Sequence, residues 1–240
     1  MPTTSTRARS WRDYAPLPAP VLTPEYLALV LKLLTGTRPE RRLPTAAAAA
    51  LVGVSPRTVQ RWMPSARAAR GPAVPSLAHA DRLRALTLPS ERTLRHEEQA
   101  ADYAETAHCR VAVPRGRAVL PEWREQGWLN EHVVLIVDHP DLSLKQVSTS
   151  RLDLVASEIT VLGAGAGAGI RRRGGGSAST TAIVSDAFAA TLLKHAILRQ
   201  LHHWRLQPSR TLVPRGATQM WLADAPQPNL RTLVDELALG

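Results

Sequence analysis

A short polar segment after Gly53 contains the side chains best suited to recognition chemistry in this 240-residue chain. Its outward positions hold hydroxyl, amide and guanidinium groups and no carboxylate: Ser55, Arg57, Thr58, Gln60 and Arg61. Side chains of these types form hydrogen bonds with the edges of bases and with phosphate oxygens. We therefore treat the five residues as candidate contacts to a nucleic acid.

The residues around this segment predict two short helices joined by a tight turn. The first helix covers residues 45–52, and the second begins at Ser55 and ends before Pro64. Ala49 is small enough for the two helices to touch there, and Gly53 supplies the positive φ that such a turn needs. The inner faces are expected to bury the apolar residues Ala48, Val52, Val54, Val59 and Trp62.

The stretch TAAAAALVGVSPRTVQRWM, residues 45–63, resembles the helix-turn-helix motif of bacterial and phage DNA-binding proteins. Its GVSPRTVQRW portion is similar to regulators and mobile-element proteins of actinobacteria. The resemblance implies that the second helix enters the major groove with its N-terminal residues toward the bases. By position, the best base-reading candidates are Arg57, Thr58 and Arg61, followed by Gln60 and Ser55. The alternative is a helical hairpin that serves only for packing.

Other arginines flank the motif or precede it. Four of them are expected to contact phosphates: Arg41, Arg42, Arg67 and Arg70. Three more lie in a predicted arm at the start of the chain: Arg7, Arg9 and Arg12. Such an arm could enter the minor groove of DNA, as the arms of homeodomains do. We prefer the other interpretation, in which the arm is a solvated tail.

The positive charge is confined to the first part of the chain. Residues 1–95 contain 15 of the 30 Arg and Lys but only 5 of the 20 Asp and Glu, whereas residues 96–240 contain 15 of each. The formal net charge of +10 therefore belongs entirely to the segment that holds the motif. A GC-rich genome explains the preference for Arg over Lys, but not this one-sided distribution. Two units with different tasks are expected.

Several classes of protein are excluded or disfavoured by what the sequence lacks. Its single cysteine, Cys109, excludes a disulfide framework and a multi-Cys zinc cluster. No apolar run is long enough for a transmembrane helix, and the first residues do not read as a secretory signal. Neither a GxxxxGK[ST] loop nor a GxSxG motif occurs. We expect a cytoplasmic, nucleoid-associated protein that is not an enzyme and has no cofactor, catalytic residue or metal.

The expected fold class is α+β, with an all-α N-terminal helix-turn-helix domain and a small α+β C-terminal domain. We place the boundaries where the composition changes and where Pro and Gly cluster. The predicted units are a flexible basic arm (1–20), the helix-turn-helix domain (21–72), a helical connector (73–114) and an α+β domain of unknown role (115–240). A flexible loop is expected over the Gly-rich residues 163–179. No family is recognised for residues 115–240.

Hydrophobic spacing predicts further elements outside the motif. A helix is expected to precede it, from Thr23-Pro24 to Leu34. Strands are expected at 132–137, 144–148 and 159–162. A helix is expected to begin after a cap at Ser185 and to stop at Pro208. We also expect a hairpin that pairs 211–213 with 220–222, and a final helix that begins at Asn229.

Two other patterns have ordinary explanations. The glycines at 163 and 165 follow a strand-like segment, but three arginines follow instead of the apolar helix that a dinucleotide-binding turn requires. A mixed set of possible metal ligands lies within one helical stretch: His96, Glu97, Glu98, Asp102, His108 and Cys109. Their spacing does not fit HExxH, so a solvated helix face is the preferred interpretation.

The sequence as a whole predicts a double-stranded DNA-binding protein and favours a transcriptional regulator or phage-type repressor. We expect a homodimer, because one motif contacts too little DNA for typical specific affinity, with the contact in residues 77–108 or in the C-terminal domain. An accessory protein of plasmid or phage replication, partition or transfer is the alternative, with the C-terminal domain bound to a protein partner. A recombinase or nuclease is a less favoured possibility.

Overall fold

Helices form the first half of the chain, and an antiparallel sheet organises the second. The computed structural model describes residues 8–64, 72–111, 119–155, 160–161, 170–171 and 177–239. The protein is α+β, as expected. The first five helices are α1 (Pro24–Leu34), α2 (Thr45–Val52), α3 (Pro56–Trp62), α4 (Leu77–Thr87) and α5 (Glu91–Val111).

In the C-terminal half, a long apolar helix packs against an antiparallel sheet. The helices are α6 (Pro121–Glu125), α7 (Leu152–Val155), α8 (Ala187–Gln200) and α9 (Leu230–Leu237). The strands are β1 (His132–His139), β2 (Leu144–Arg151), β3 (Thr160–Val161), β4 (Ile170–Arg171), β5 (Ser177–Val184) and β6 (Met220–Leu222). They form one sheet in the order β3-β4-β5-β1-β2-β6, with every neighbouring pair antiparallel.

Strand β1 lies between β5 and β2 in the sheet, and its side chains are buried on both faces. Val134 and Ile136 belong to the large core that contains α8, and Val133 and Leu135 form a smaller cluster with Val137. Six consecutive residues of this strand are buried, which explains why the sequence predicts it as a continuous apolar run.

Helices α1 to α4 share a core of their own. It is built from Leu27, Leu31, Leu43, Ala48, Ala49, Val52, Val59, Trp62 and Leu83. Because Leu83 belongs to α4, that helix is part of the cluster. Helix α5 instead packs on α8 through Ala101, Ala104 and Ala107, small residues in the same buried core as α8. The predicted helical connector over 73–114 is helical in α4 and α5, and these two helices pack into the cores on either side of it.

Residues 8–20 are not a mobile arm, and the prediction of one is wrong for this part of the segment. A 3₁₀ turn at Trp11–Asp13 buries Trp11, which retains only 4% exposure, and Tyr14 is equally buried. Arg9 forms an ion pair with Glu236 at 3.2 Å, and Arg12 pairs with Asp102. The two large aromatic side chains contribute hydrophobic burial that holds this segment against the core. Residues 1–7, with Arg7, lie outside the described residues.

Three smaller predictions are also wrong. The expected loop 163–179 contributes β4 and the start of β5, and its remaining residues lie outside the described part of the chain. Residues 211–213 do not form a hairpin with β6, which pairs with β2 so that Leu222 lies opposite Leu144. Asp186, not Ser185, caps α8, since its carboxylate accepts from the Ala189 N–H at 2.8 Å. That helix ends at Gln200, well before Pro208.

The helical cluster and the sheet are joined directly. Val30 and Leu33 of α1 face away from the helical cluster and pack with Leu142, Leu144 and Met220. A buried ion pair joins α5 to the segment after α8: Arg205 donates from both Nη atoms to Glu97 of α5, at 2.9 and 3.0 Å. A guanidinium that binds a carboxylate in this bidentate way has little rotational freedom.

Replacing Trp11 with alanine tests whether residues 8–20 belong to the core. Trp11→Ala is expected to lower the free energy of unfolding by about 3–5 kcal/mol, as for large-to-small changes in a core. Val21→Ala is the control, because Val21 is 79% exposed and should change stability by about 0.5 kcal/mol or less. Equal, small losses in urea titrations of the two variants would show that residues 8–20 do not stabilise the fold.

Two glutamates of α5 allow a matched test of the buried ion pair. Glu97→Gln leaves the Arg205 guanidinium buried without its counter-charge, so we expect a loss of about 3–5 kcal/mol. Glu91→Gln removes an exposed pair with Arg95 and should cost about 0.5 kcal/mol or less. Chemical denaturation of the two variants measures both values, and a loss at Glu97 no larger than that at Glu91 contradicts the proposed link.

Candidate nucleic-acid interface

Helices α2 and α3 are joined by the tight turn that the sequence predicts. Gly53 lies in the left-handed region with φ 76° and ψ 41°, and its N–H donates to the carbonyl of Ala49 at 2.8 Å. Ala49 is buried where the helices meet. Since Gly adopts positive φ without steric cost, this residue allows α2 and α3 to be joined by only three residues.

Helix α3 has one buried face and one exposed face. Val59 and Trp62 point into the helical cluster, where the Trp62 ring lies 5.5 Å from that of His79. Arg57, Gln60 and Arg61 are exposed. Because residues three and four apart share a helix face, these three side chains project together into solvent. Among the described residues, neither arginine forms an ion pair.

The two hydroxyl residues of the candidate set stabilise the start of α3. Ser55 Oγ accepts from the Thr58 N–H at 3.1 Å and lies 2.9 Å from Thr58 Oγ1. Ser55 is exposed, whereas Thr58 is half-buried. Both residues therefore have a capping role in the free protein. A hydroxyl can still accept or donate one further hydrogen bond, so this role is compatible with contact to a ligand.

Two of the four candidate phosphate contacts lie immediately before α2. Arg41 and Arg42 are exposed, and the turn that presents them is closed by a bond from Arg41 N–H to the Arg38 carbonyl at 3.0 Å. Leu43, directly after them, is buried in the helical cluster and fixes the position of this turn. The other two candidates, Arg67 and Arg70, lie outside the described residues.

Arg82 is a basic residue near the motif that the sequence analysis did not select. A Cβ atom built on Gly53 would lie 2.8 Å from Arg82 Nη1, so the guanidinium covers the turn between α2 and α3. The neighbouring Leu83 is buried, which turns Arg82 outward from α4. Only the packing of α4 on α2 reveals this position, since Arg82 lies nineteen positions after Met63, the last residue of the motif. No Asp or Glu occurs between Glu40 and Asp81.

Three of the six possible metal ligands of α5 bind protein groups. Glu97 pairs with Arg205, Asp102 pairs with Arg12, and His108 Nδ1 lies 3.3 Å from the buried carboxylate of Asp186. The Asp186 hydrogen bond raises the pKa of His108 above 6.5. Cys109 is exposed. Within the described ranges, no three His, Cys, Asp or Glu side chains come together as a metal ion would require.

Comparisons with known proteins supply no family for this chain. No protein-family model matches it, and neither a curated protein nor a solved structure is significantly similar to it. None of the helices in the described part of the chain is long and apolar enough to cross a membrane.

The turn at Gly53 can be tested with two substitutions that add the same Cβ atom. Gly53→Ala is expected to lower the free energy of unfolding by about 1–2 kcal/mol, the cost of a left-handed conformation for an ordinary residue. Gly53→Asn should lose less, because Asn adopts this conformation more readily. Thermal unfolding, monitored by circular dichroism, measures the loss of stability in both variants. Equal losses would assign the cost to contact with Arg82 rather than to the positive φ.

Proposed function

We propose that this protein binds double-stranded DNA in a sequence-specific manner, with α3 as the recognition helix of an N-terminal helix-turn-helix domain. The main support is the division of α3 into a buried face, with Val59 and Trp62, and an exposed face with Arg57, Gln60 and Arg61. Arg pairs with the O6 and N7 atoms of guanine, and Gln pairs with N6 and N7 of adenine. A helix of this kind fits the major groove of B-DNA.

The charges around α3 support the same proposal. Arg41, Arg42 and Arg82 are exposed and form no ion pair among the described residues. Phosphate contacts made by such side chains fix the orientation of a protein on the duplex but do not read its sequence. We assign these three arginines to the phosphates, and the α3 side chains to the bases.

The biological role that we propose is that of a transcriptional regulator or phage-type repressor that acts as a homodimer. Two motifs about 34 Å apart would contact successive major grooves on one side of the duplex. The alanine face of α5 is already used against α8, which favours the C-terminal unit over residues 77–108 for the dimer contact. We also propose that a protein partner would bind to the C-terminal unit.

Two arginine variants separate base reading from phosphate contact. Once a preferred duplex has been selected from a random pool, Arg57→Ala should weaken binding to it by about 1–3 kcal/mol and affect random DNA much less. Arg42→Ala should weaken both alike and lower the slope of log affinity against log salt by about one. Fluorescence anisotropy at several salt concentrations measures both effects.

The control is Arg231→Ala, which removes one positive charge from an exposed position on α9, away from the motif. It is expected to leave both the affinity and the salt slope unchanged. If Arg57→Ala and Arg231→Ala bind the preferred duplex equally well, α3 is not the reading helix. Nicking of supercoiled DNA by the purified protein with Mg²⁺ would instead indicate a recombinase or nuclease.

A further inference from the structure

Asp186 places a buried carboxylate at the start of α8, where only 2% of its side chain is exposed. One carboxylate oxygen accepts from the Ala189 N–H at 2.8 Å, and the other accepts from the Ser185 hydroxyl at 2.9 Å. Burial alone would raise the pKa of Asp186, but hydrogen bonds from His108, Ala189 and Ser185 hold it below its usual value of 3.8. The carboxylate is therefore ionised at physiological pH, and a buried ion of this kind needs a counter-charge.

His108 of α5 supplies that counter-charge. Its Nδ1 lies 3.3 Å from Asp186 Oδ2, and only 15% of its side chain is exposed. Among the described residues, no arginine or lysine forms an ion pair with Asp186. A histidine gives up its proton near neutral pH, whereas an arginine does not. The charge that balances Asp186 is therefore one that a change of pH can remove.

The second ring nitrogen of His108 also faces an acceptor. Nε2 lies 3.4 Å from the carbonyl oxygen of Ala238, the residue that follows α9. An ionised carboxylate and a carbonyl oxygen can only accept hydrogen bonds, so each contact needs an N–H group on the imidazole. The neutral ring has one N–H and the imidazolium has two. The two contacts can therefore be hydrogen bonds at the same time only when His108 is protonated.

Other charged or titratable groups lie near His108 on the elements packed around it. On α5 they are Glu105 and Cys109, on α9 Glu236, and on the N-terminal segment Arg9 and Asp13. Most of them are occupied elsewhere: Arg9 pairs with Glu236 at 3.2 Å, Asp13 accepts from the Ser10 N–H at 2.9 Å, and Glu105 lies 3.9 Å from Arg12. Asp186 is the group that raises the pKa of His108 most, against burial, which lowers it.

The end of α9 depends on contacts of this kind. Ala238 has φ 54°, in the left-handed region that an alanine rarely adopts. Leu239 is fully buried beyond it, and its carbonyl oxygen accepts from the Ser185 N–H at 3.4 Å. Leu237, in the last turn of α9, is buried in the same core. Holding Ala238 in its conformation therefore keeps two apolar side chains in place.

We propose that His108, Asp186 and Ala238 form a pH-sensitive latch for the C-terminal end of α9. The protonated imidazole donates one hydrogen bond to Asp186 and one to Ala238, and so holds residues 230–239 on the core. Loss of the proton removes one of these bonds and leaves Asp186 without its counter-charge. The end of α9 then opens more often and exposes Leu237 and Leu239. The latch is independent of the proposed DNA binding, because none of its residues lies in α1 to α4.

Urea unfolding at pH 5.5 and pH 8.5 tests whether His108 carries this pH dependence. The folded protein raises the pKa of His108 above 6.5, so its contribution to stability is complete below about pH 6.5 and is lost as the pH rises through the folded-state pKa. Between the two pH values, the folding equilibrium constant of the wild type should fall about tenfold more than that of His108→Gln. Groups common to both proteins cancel in this comparison.

His96→Gln is the matched control, because His96 is an exposed residue of the same helix. It should keep the pH dependence of the wild type. Asp186→Asn is a second variant, since asparagine still caps α8 but carries no charge, and it should lose the pH dependence as His108→Gln does. A pH dependence in folded His108→Gln equal to that of the wild type would overturn the proposal.

Hydrogen exchange measured by mass spectrometry locates the opening. Rates are divided by the intrinsic exchange rate at each pH, so that only the structural protection is compared. In the wild type, residues 230–239 should be protected about tenfold less at pH 8.5 than at pH 5.5, and in His108→Gln they should be weakly protected at both. Residues 24–34 of α1 are the internal control and should not change. Equal protection of 230–239 in the wild type at both pH values would contradict the latch.

Discussion

The tight turn at Gly53 is the constraint on which the candidate interface depends. Helix α3 has seven residues, too few to persist in water without tertiary contacts. The turn places it against α2, and Val59 and Trp62 then fix which side faces the core. The exposed position of Arg57 and Arg61 follows from this geometry. A different backbone conformation at Gly53 would alter the direction of every side chain on α3.

The proposed reading helix is attached to the rest of the molecule through packed side chains. Helix α1 buries one face in the helical cluster and the other against the sheet, and the Arg205–Glu97 pair joins α5 to the segment after α8.

The elements of the motif were predictable because short-range rules determine them. Helical spacing, the Ser55 cap and the glycine at the turn fix α2 and α3 within residues that are close in sequence. Two of the incorrect predictions concern long-range contacts. Burial of Trp11 depends on α8, and pairing of β6 with β2 joins residues more than seventy positions apart. The position of Arg82 was not predictable for the same reason, since only the packing of α4 brings its guanidinium to the turn between α2 and α3.

Methylation protection on a selected duplex tests most directly whether α3 reads DNA in the major groove. Dimethyl sulfate reacts with guanine N7, which lies in that groove and is the atom that arginine contacts. We predict that saturating protein protects particular guanines of the preferred site, and that the Arg57→Ala variant restores the reactivity of at least one of them. Full reactivity of every guanine under saturating wild-type protein, or failure of a random pool to yield any preferred sequence, would contradict sequence reading by α3.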